Sequence, residues 1–473
     1  MRNRLIYKYI GKVLVGYSIV FIFPILICLI YKEAFLQYVL PMVISLMVGL
    51  LLIKIKSNKK GLHAKDGFII VAVSWIIIAM LSALPFVFRY KINYIDAIFE
   101  ATSGLTTTGA TIFKNVEELE KNILFWRSLM HFVGGMGVLA FMMAIIPLSR
   151  DDKSMHLLKA EMPGPSVAKL VPSLKKTMFY LYGIYLGLSL TEFILLIVGN
   201  MNVFDATLIT MGTAGTGGFT LFNSSMATYS ILNKWTVAVF MFLFGVNFNI
   251  YFLILIKDLK TAIKSEELKA YILIFLISVI CIILNTYQMF SNLNEAILSG
   301  FFHASSLITS TGYSIGEINI YPSFSRIICL LLMFTSACAG STCGGIKVSR
   351  LVILSKTIKR DILKIIHPSS IRIITFDGKK LDDEICRTNN TFIFLYIILI
   401  LIIMLIVSLD KISFETTLNA VLSTFANVGL CFNISNFSDF SLISKIALSI
   451  GMLLGRLEIF PVIVLLTDWK RKI

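Results

Sequence analysis

Four stretches of this chain repeat one chemical pattern: an acid, a short apolar run, and a turn of glycine mixed with threonine, serine or asparagine. They read IDAIFEATSGLTTTGATIF from Ile95, FDATLITMGTAGTGGFTLF from Phe204, NEAILSGFFHASSLITSTGYSIG from Asn294 and FETTLNAVLSTFANVGLCFNI from Phe414. The acids are Asp96, Asp205, Glu295 and Glu415, and the turns centre on Gly109, Gly217, Gly312 and Gly429, which stand 108, 95 and 117 residues apart. Glycine frees an extended backbone to present successive carbonyls on one side, a conformation that Cβ obstructs. Rings of such carbonyls replace the hydration shell of a monovalent cation such as potassium. Thr106, Thr107, Thr108 and Thr111, with Thr213, Thr216, Ser310, Thr311 and Asn427, add hydroxyl or amide groups beside them. The turns carry no ring of acids, which argues against a divalent cation. A single such glycine would be read as a helix-packing site, but four copies at one place in one repeat favour a pore.

The elements needed to position these turns form a repeat of helix, half-helix, glycine turn and helix. The acid suits the positive N-terminal end of each half-helix, which leaves the negative C-terminal end aimed at the turn and at any cation there. Backbone that is not helical is tolerated at membrane depth only where it is buried in protein or lines a wet path, so four turns on one axis imply a filter. Runs of about 20 apolar residues, the length that crosses the hydrocarbon, occur near 13–31, 34–53, 67–88, 128–149, 177–198, 235–256, 270–290, 327–346, 388–409 and 446–467. The expected fold class is therefore an all-α integral membrane protein: four repeats around one pore, preceded by two extra transmembrane helices.

Composition agrees, because 57% of the 473 residues are hydrophobic and only 15% are charged. The apolar runs recur to the last line, so no removable leader is expected. The net charge of +16 would suggest nucleic acid in a soluble protein, but 32 of the 43 Lys and Arg fall in six segments, 1–13, 54–66, 149–177, 257–269, 347–390 and 468–473. Basic loops mark the cytoplasmic side, which places both termini inside and makes a nucleic-acid partner unnecessary. All four repeats then share one orientation, unlike the inverted pairs of many transporters. Seven scattered Cys and five His show no metal-ligand spacing and no catalytic cluster, so neither an enzyme nor a bound cofactor is expected.

At these motifs the sequence resembles the Trk/Ktr/HKT superfamily of potassium transporters, the bacterial TrkH branch in particular, and the resemblance covers nearly the whole chain. GLTTTGAT at 104–111, GTGGF at 215–219, TSTGY at 309–313 and ANVGL at 426–430 are similar to that family's four filters. AGSTCGGIKVSR from Ala339 resembles its broken helix after the third filter, and GRLEIF from Gly455 its arginine-bearing last helix. The resemblance implies a selectivity filter at Thr107, Thr108, Gly109, Thr216, Gly217, Gly218, Thr311, Gly312, Tyr313, Asn427, Val428 and Gly429. Potassium, as transported substrate, would be held at Thr108, Gly109, Thr216, Gly217, Thr311, Gly312, Asn427 and Val428. It further implies a gate at Gly340, Ser341, Thr342, Cys343, Gly344, Gly345 and Arg456, a homodimer, a cytosolic nucleotide-binding regulatory subunit and a place in the bacterial cytoplasmic membrane. Glycine in all four filters resembles potassium-selective members; the alternative within the superfamily is a sodium or mixed-cation transporter. Cys343 stands where many members have glycine, and Pro461 follows the last motif.

The corresponding units are a two-helix segment at 1–66, then repeats at 67–176, 177–269, 270–387 and 388–473. Arg456, inside an apolar span, should face a wet cavity or a partner, since a central guanidinium costs roughly 2.5–3.5 kcal/mol to insert. Glu458 is expected either to contact a neighbouring helix or to take part in transport, Glu192 and His131 to be satisfied packing residues, and Lys347 to snorkel to the cytoplasmic interface. HPSSIRIITFDGKKLDDEI within 347–390 reads as a strand-turn unit on the cytoplasmic face and as either a dock for the regulator, the favoured reading, or a tethering loop.

Overall fold

The computed structural model describes residues 3–55, 64–145, 174–369, 372–434 and 436–468. Much of the expected cytoplasmic loop at 149–177 lies outside the described residues. Two helices, α1 (Asn3–Ser18) and α2 (Ile22–Tyr31), joined by a single 3-10 turn, run up to α3 (Leu36–Ile53). They approach α3 closely at Gly11, where a side chain would strike the backbone of Gly49. Glu33 then ties the pair to the rest of the chain, its carboxylate accepting the Lys121 and Asn122 backbone N–H groups at 3.1 and 2.9 Å.

From here the helix, half-helix, turn and helix order recurs four times. The first copy is α4 (Ala64–Tyr90), α5 (Tyr94–Leu105) and α6 (Lys121–Ile145), and the second α7 (Leu174–Val198), α8 (Val203–Gly215), α9 (Ile231–Phe244) and α10 (Phe248–Leu255). After the short α11 (Leu259–Lys264), the third is α12 (Glu266–Thr286), α13 (Leu293–Ile308), α14 (Ser323–Phe334) and α15 (Val348–Ile366). The fourth is α16 (Asp383–Val407), α17 (Phe414–Phe425), α18 (Leu442–Arg456) and α19 (Phe460–Asp468). Six of the described helices are long and apolar enough to cross a membrane, or seven if the bent pair α9–α10 is one span. Large apolar side chains such as Phe394, Leu401 and Leu405 on α16 lie exposed, as a lipid solvent requires. The chain is a multi-pass, all-α membrane protein.

Three expected spans are not continuous helices. The 235–256 span bends by 90° between α9 and α10, where Asn247 caps α10 and Gly245 gives its carbonyl to Cys338 N–H at 3.1 Å. The 327–346 span stops at Phe334, and residues 335–347 form an intramembrane loop. The 446–467 span breaks after Arg456, with Glu458 and Ile459 at left-handed φ of 57° and 64°. Pro461 falls in the first turn of α19, where its missing N–H costs no helical hydrogen bond.

The strand-turn reading of the 347–390 segment is confirmed. Strands β1 (Thr375–Phe376) and β2 (Lys379–Lys380) pair antiparallel around Asp377 and Gly378, both at positive φ. Phe376 and Ile374 pack with Ile353 of α15 and Cys386 of α16. Asp377 accepts the Glu266 N–H at 2.8 Å at the start of α12, and partial burial there holds its carboxyl above the usual range.

Candidate ion pathway

Each half-helix opens on a side-chain cap that the sequence reading passed over. Asn93, Asn202, Asn292 and Ser413 accept backbone N–H groups at 3.0, 2.8, 3.0 and 3.2 Å. The acids Asp96, Asp205, Glu295 and Glu415 follow within the first turn. A polar cap followed by an acid near the third helical position was the available signal.

The four turns share one backbone path. Thr107, Thr216, Ser310 and Asn427 hold φ of 56°, 54°, 55° and 57°. The next residue in each turn, Thr108, Gly217, Thr311 or Val428, donates its N–H five residues back, to Ser103, Gly212, Ser306 or Ser423, at 2.8 Å in every case. This register aligns Gly218, not Gly217, with Gly109, Gly312 and Gly429. Gly109, Gly312 and Gly429 lie at φ of 83°, 80° and 76°, whereas Gly218 does not adopt a left-handed φ. A Cβ on Gly217 would instead strike the His131 ring.

The four turns close into a ring. A Cβ on Gly109 would meet the backbone of Gly218, one on Gly218 the carbonyls of the third turn, one on Gly312 the Val428 carbonyl, and one on Gly429 the Thr108 carbonyl. The glycines therefore permit backbone to lie against backbone around one axis. The expected filter residues are brought together there, except that Tyr313 turns its side chain away: it is buried, and its hydroxyl donates to Ile209 O on α8 at 3.3 Å.

Polar side chains brace the ring from behind. His131 of α6 accepts the Phe219 N–H on Nε2 at 3.1 Å, so its Nδ1 donates to Gly104 O at 2.8 Å, bridging the first two turns. Glu100 and Arg127, both nearly inaccessible, pair at 2.8 Å. Glu100 also accepts the Ile112 N–H at 2.9 Å, and Arg127 lies over the Phe219 ring at 4.0 Å. The sequence reading missed this pair because Arg127 fell one residue outside the expected 128–149 span. His303 takes part in a similar network behind the third turn, with Tyr321 at 2.8 Å and Ser299 at 3.3 Å. Glu192 is buried in α7, near Thr213 of α8, and is not the satisfied packing residue expected: neither carboxylate oxygen has a hydrogen-bond partner among the described residues.

The intramembrane loop runs from α14 to α15 past the α9–α10 bend. Gly340 and Gly345 take φ of 70° and 69°, and the Gly340 carbonyl accepts Phe248 N–H at 3.3 Å. Arg456, buried at the end of α18, reaches the loop: its guanidinium donates to Thr342 O and, at 3.0 Å, to Gly134 O on α6. Lys347 does not snorkel. It is buried and folds back onto the carbonyls of Cys343 and Gly344, because a loop of turned-out carbonyls offers the ammonium closer partners than distant water. Glu267 at the start of α12 also holds the loop, accepting Ala339 N–H at 2.6 Å and Ser349 N–H at 3.3 Å. As expected for a contact with a neighbouring helix, Glu458 pairs with Arg350 of α15 at 2.8 Å. All seven Cys are free, and among the described residues no His, Cys, Asp and Glu cluster could hold a metal ion.

Fold and site together define a helical, multi-pass membrane protein that gathers four glycine turns into one closed ring above an ordered loop. Residues 32–469 match the TrkH family, described as cation transport protein. The chain belongs to that family. It is 32% identical to the Trk system potassium uptake protein TrkG of Escherichia coli K12, over 96% of this chain and 95% of that one. It is 31% identical to TrkH of the same strain, over 99% of this chain and all of the relative. The crystal structure of the potassium transporter TrkH from Vibrio parahaemolyticus superposes with a TM-score of 0.89 at 27% identity, over 99% of both chains.

Proposed function

We propose that this chain takes up potassium across the bacterial cytoplasmic membrane through a single gated pore. The observation that carries the reading is the closed ring of Gly109, Gly218, Gly312 and Gly429, in which no Cβ separates neighbouring backbones. Four half-helix C-termini aim at that ring, so partial negative charge and carbonyl oxygens stand where a dehydrated cation would rest. The ligands are the backbone groups around Thr107–Gly109, Thr216–Gly218, Ser310–Gly312 and Asn427–Gly429.

The pore is built by repeats at 67–176, 177–269, 270–387 and 388–473, with 1–66 as a two-helix addition and both termini in the cytoplasm. The loop from Gly340 to Gly345, latched by Arg456, closes the pathway below the ring. The protein works as a homodimer, each subunit with its own pore, and a cytosolic nucleotide-binding subunit acts through the hairpin at β1–β2. Coupling to protons or sodium is not energetically required, because a membrane potential supplies about 2.3 kcal/mol per elementary charge per 100 mV, roughly 50-fold accumulation.

The test is cation flux into proteoliposomes of purified protein under an imposed potential, comparing potassium, rubidium, sodium and lithium. Potassium and rubidium should exceed sodium and lithium. Equal sodium flux would replace the potassium reading with a mixed-cation transporter, and no flux of any cation would remove the pore.

A further inference from the structure

The residue that opens each turn in a left-handed conformation carries a hydroxyl in three copies and an amide in the fourth. Thr107 and Thr216 donate to the preceding carbonyls, Thr106 O and Gly215 O, both at 2.7 Å, and Ser310 lies 3.4 Å from Ser336 Oγ. Asn427 does something else. Its Nδ2 donates to Thr108 Oγ1 at 3.0 Å, across the seam between the fourth and first turns, and to Met452 O of α18 at 2.9 Å. Its Oδ1 is buried without a hydrogen-bond partner among the described residues.

That oxygen faces two glycines outside the turns. A Cβ built on Gly344, in the intramembrane loop, would lie 2.5 Å from Oδ1 and 2.7 Å from Asn427 Cβ. One built on Gly455 of α18 would lie 2.8 Å from Oδ1. The loop and the ring therefore touch through this amide. Backbone conformation does not explain the choice of asparagine, since threonine holds the same left-handed φ at 107 and 216.

We propose that Asn427 is a specificity-determining residue that couples the loop to the ring, a reading that rests on the turns being a potassium filter. An amide is planar, so a push on Oδ1 from the loop swings Nδ2 away from Thr108. The Thr108 hydroxyl is then left to its other partner, Thr106 Oγ1 at 2.8 Å. Thr108 immediately precedes Gly109 in the first turn, so loop position sets the geometry of the ring at its first and fourth segments. Gly344 is glycine because any side chain there would hold the amide in the displaced position.

The experiment is a double-mutant cycle on potassium and sodium flux in full-length protein reconstituted as above, with Gly344→Ala, Asn427→Thr and the two combined. Asn427→Thr copies the residue at 107 and 216, and Asn427→Ser, which copies 310, serves as the second variant at this position. Asn427→Thr should lower the potassium-to-sodium ratio about three- to tenfold, the scale of one hydrogen bond. Gly344→Ala, although outside the ring, should lower the ratio in the wild-type background and lower it by a smaller factor in the Asn427→Thr background, where the added methyl still meets Cβ of residue 427 but no amide remains to be displaced. A Gly344→Ala variant that changes flux at an unaltered ratio overturns the coupling, as does an equal shift of the ratio in both backgrounds. Wild-type protein without potassium preference would instead sink the filter reading itself.

Discussion

Replacing Arg456 by alanine tests the latch directly. Its guanidinium joins two elements that α18 does not otherwise hold together, through carbonyl oxygens of Thr342 in the loop and Gly134 on α6. Hydrogen bonds from a charged donor contribute about 1.5–3 kcal/mol each. If the bond to Thr342 exists only while the loop is closed, its loss shifts the closed-to-open balance by at least about 1.5 kcal/mol, and 1.4 kcal/mol is tenfold. Basal rubidium uptake into proteoliposomes should therefore rise about tenfold or more. Removing a fixed positive charge from the pathway acts in the same direction. Arg456→Lys keeps the charge but not the two-pronged donor, so it should fall between wild type and alanine. Arg456 makes no hydrogen bond to the ring among the described residues, so the filter should still prefer potassium over sodium. Basal flux that is unchanged or lower, in variants that insert and melt like wild type, would show that Arg456 is only a packing residue.

The ring itself is probed by Gly429→Ala, which places a side chain at a left-handed φ and against the Thr108 carbonyl; the potassium-to-sodium ratio should drop, and an unaltered ratio in folded protein would count against the ring. Arg127→Met strands the buried Glu100 carboxylate and should lower stability by about 3–5 kcal/mol, whereas adding Glu100→Gln should recover much of it; thermal unfolding in detergent reads both, and equal melting of the single and double variants would refute the brace. Cysteine at Lys379 should resist impermeant thiol reagents on intact cells and cysteine at Glu118 should react; the reverse pattern would invert the topology. Glu267→Ala removes the acceptor for the Ala339 N–H in the loop and the Ser349 N–H at the start of α15 and should raise basal flux, and an unchanged flux would free the loop from that anchor.

The helices, the half-helices and the turns were legible because each has a local cause. Twenty apolar residues make a span, an acid near a helix start marks the half-helix, and glycine marks backbone that approaches backbone. Register in the second turn was not legible. Gly217 and Gly218 are chemically identical, and only the hydrogen bond from Gly217 to Gly212 decides which aligns with Gly109. The breaks at Gly245–Asn247 and after Arg456 escaped for a related reason. Apolar composition persists through both, while the cause of each break is a partner distant in sequence: Cys338 and Gly340 for the first, Thr342 and Gly134 for the second. Lys347 was misplaced on the same ground, since its acceptors exist only once the loop has turned its carbonyls outward.

These breaks meet at one place, and that arrangement would make the proposed closure polar. Below the ring the loop touches the α9–α10 bend through Gly245 and Gly340, α6 and α18 through Arg456, and α12 through Glu267. Apart from the Gly134 carbonyl within α6, these contacts pair a backbone group beside a helix break with a donor or acceptor on another element. An apolar plug would be held by area and would resist water. A plug held by hydrogen bonds loses little when water replaces its partners, because each bond contributes only about 0.5–1.5 kcal/mol net for neutral groups. The loop also contributes Ala337, Cys338 and Cys343 to the apolar cluster of Tyr271, Leu307, Met333 and Val428, so burial adds to the hydrogen bonds that hold it. Under the proposed gating, the interruptions in otherwise apolar spans supply the backbone groups that hold the loop in its closed position.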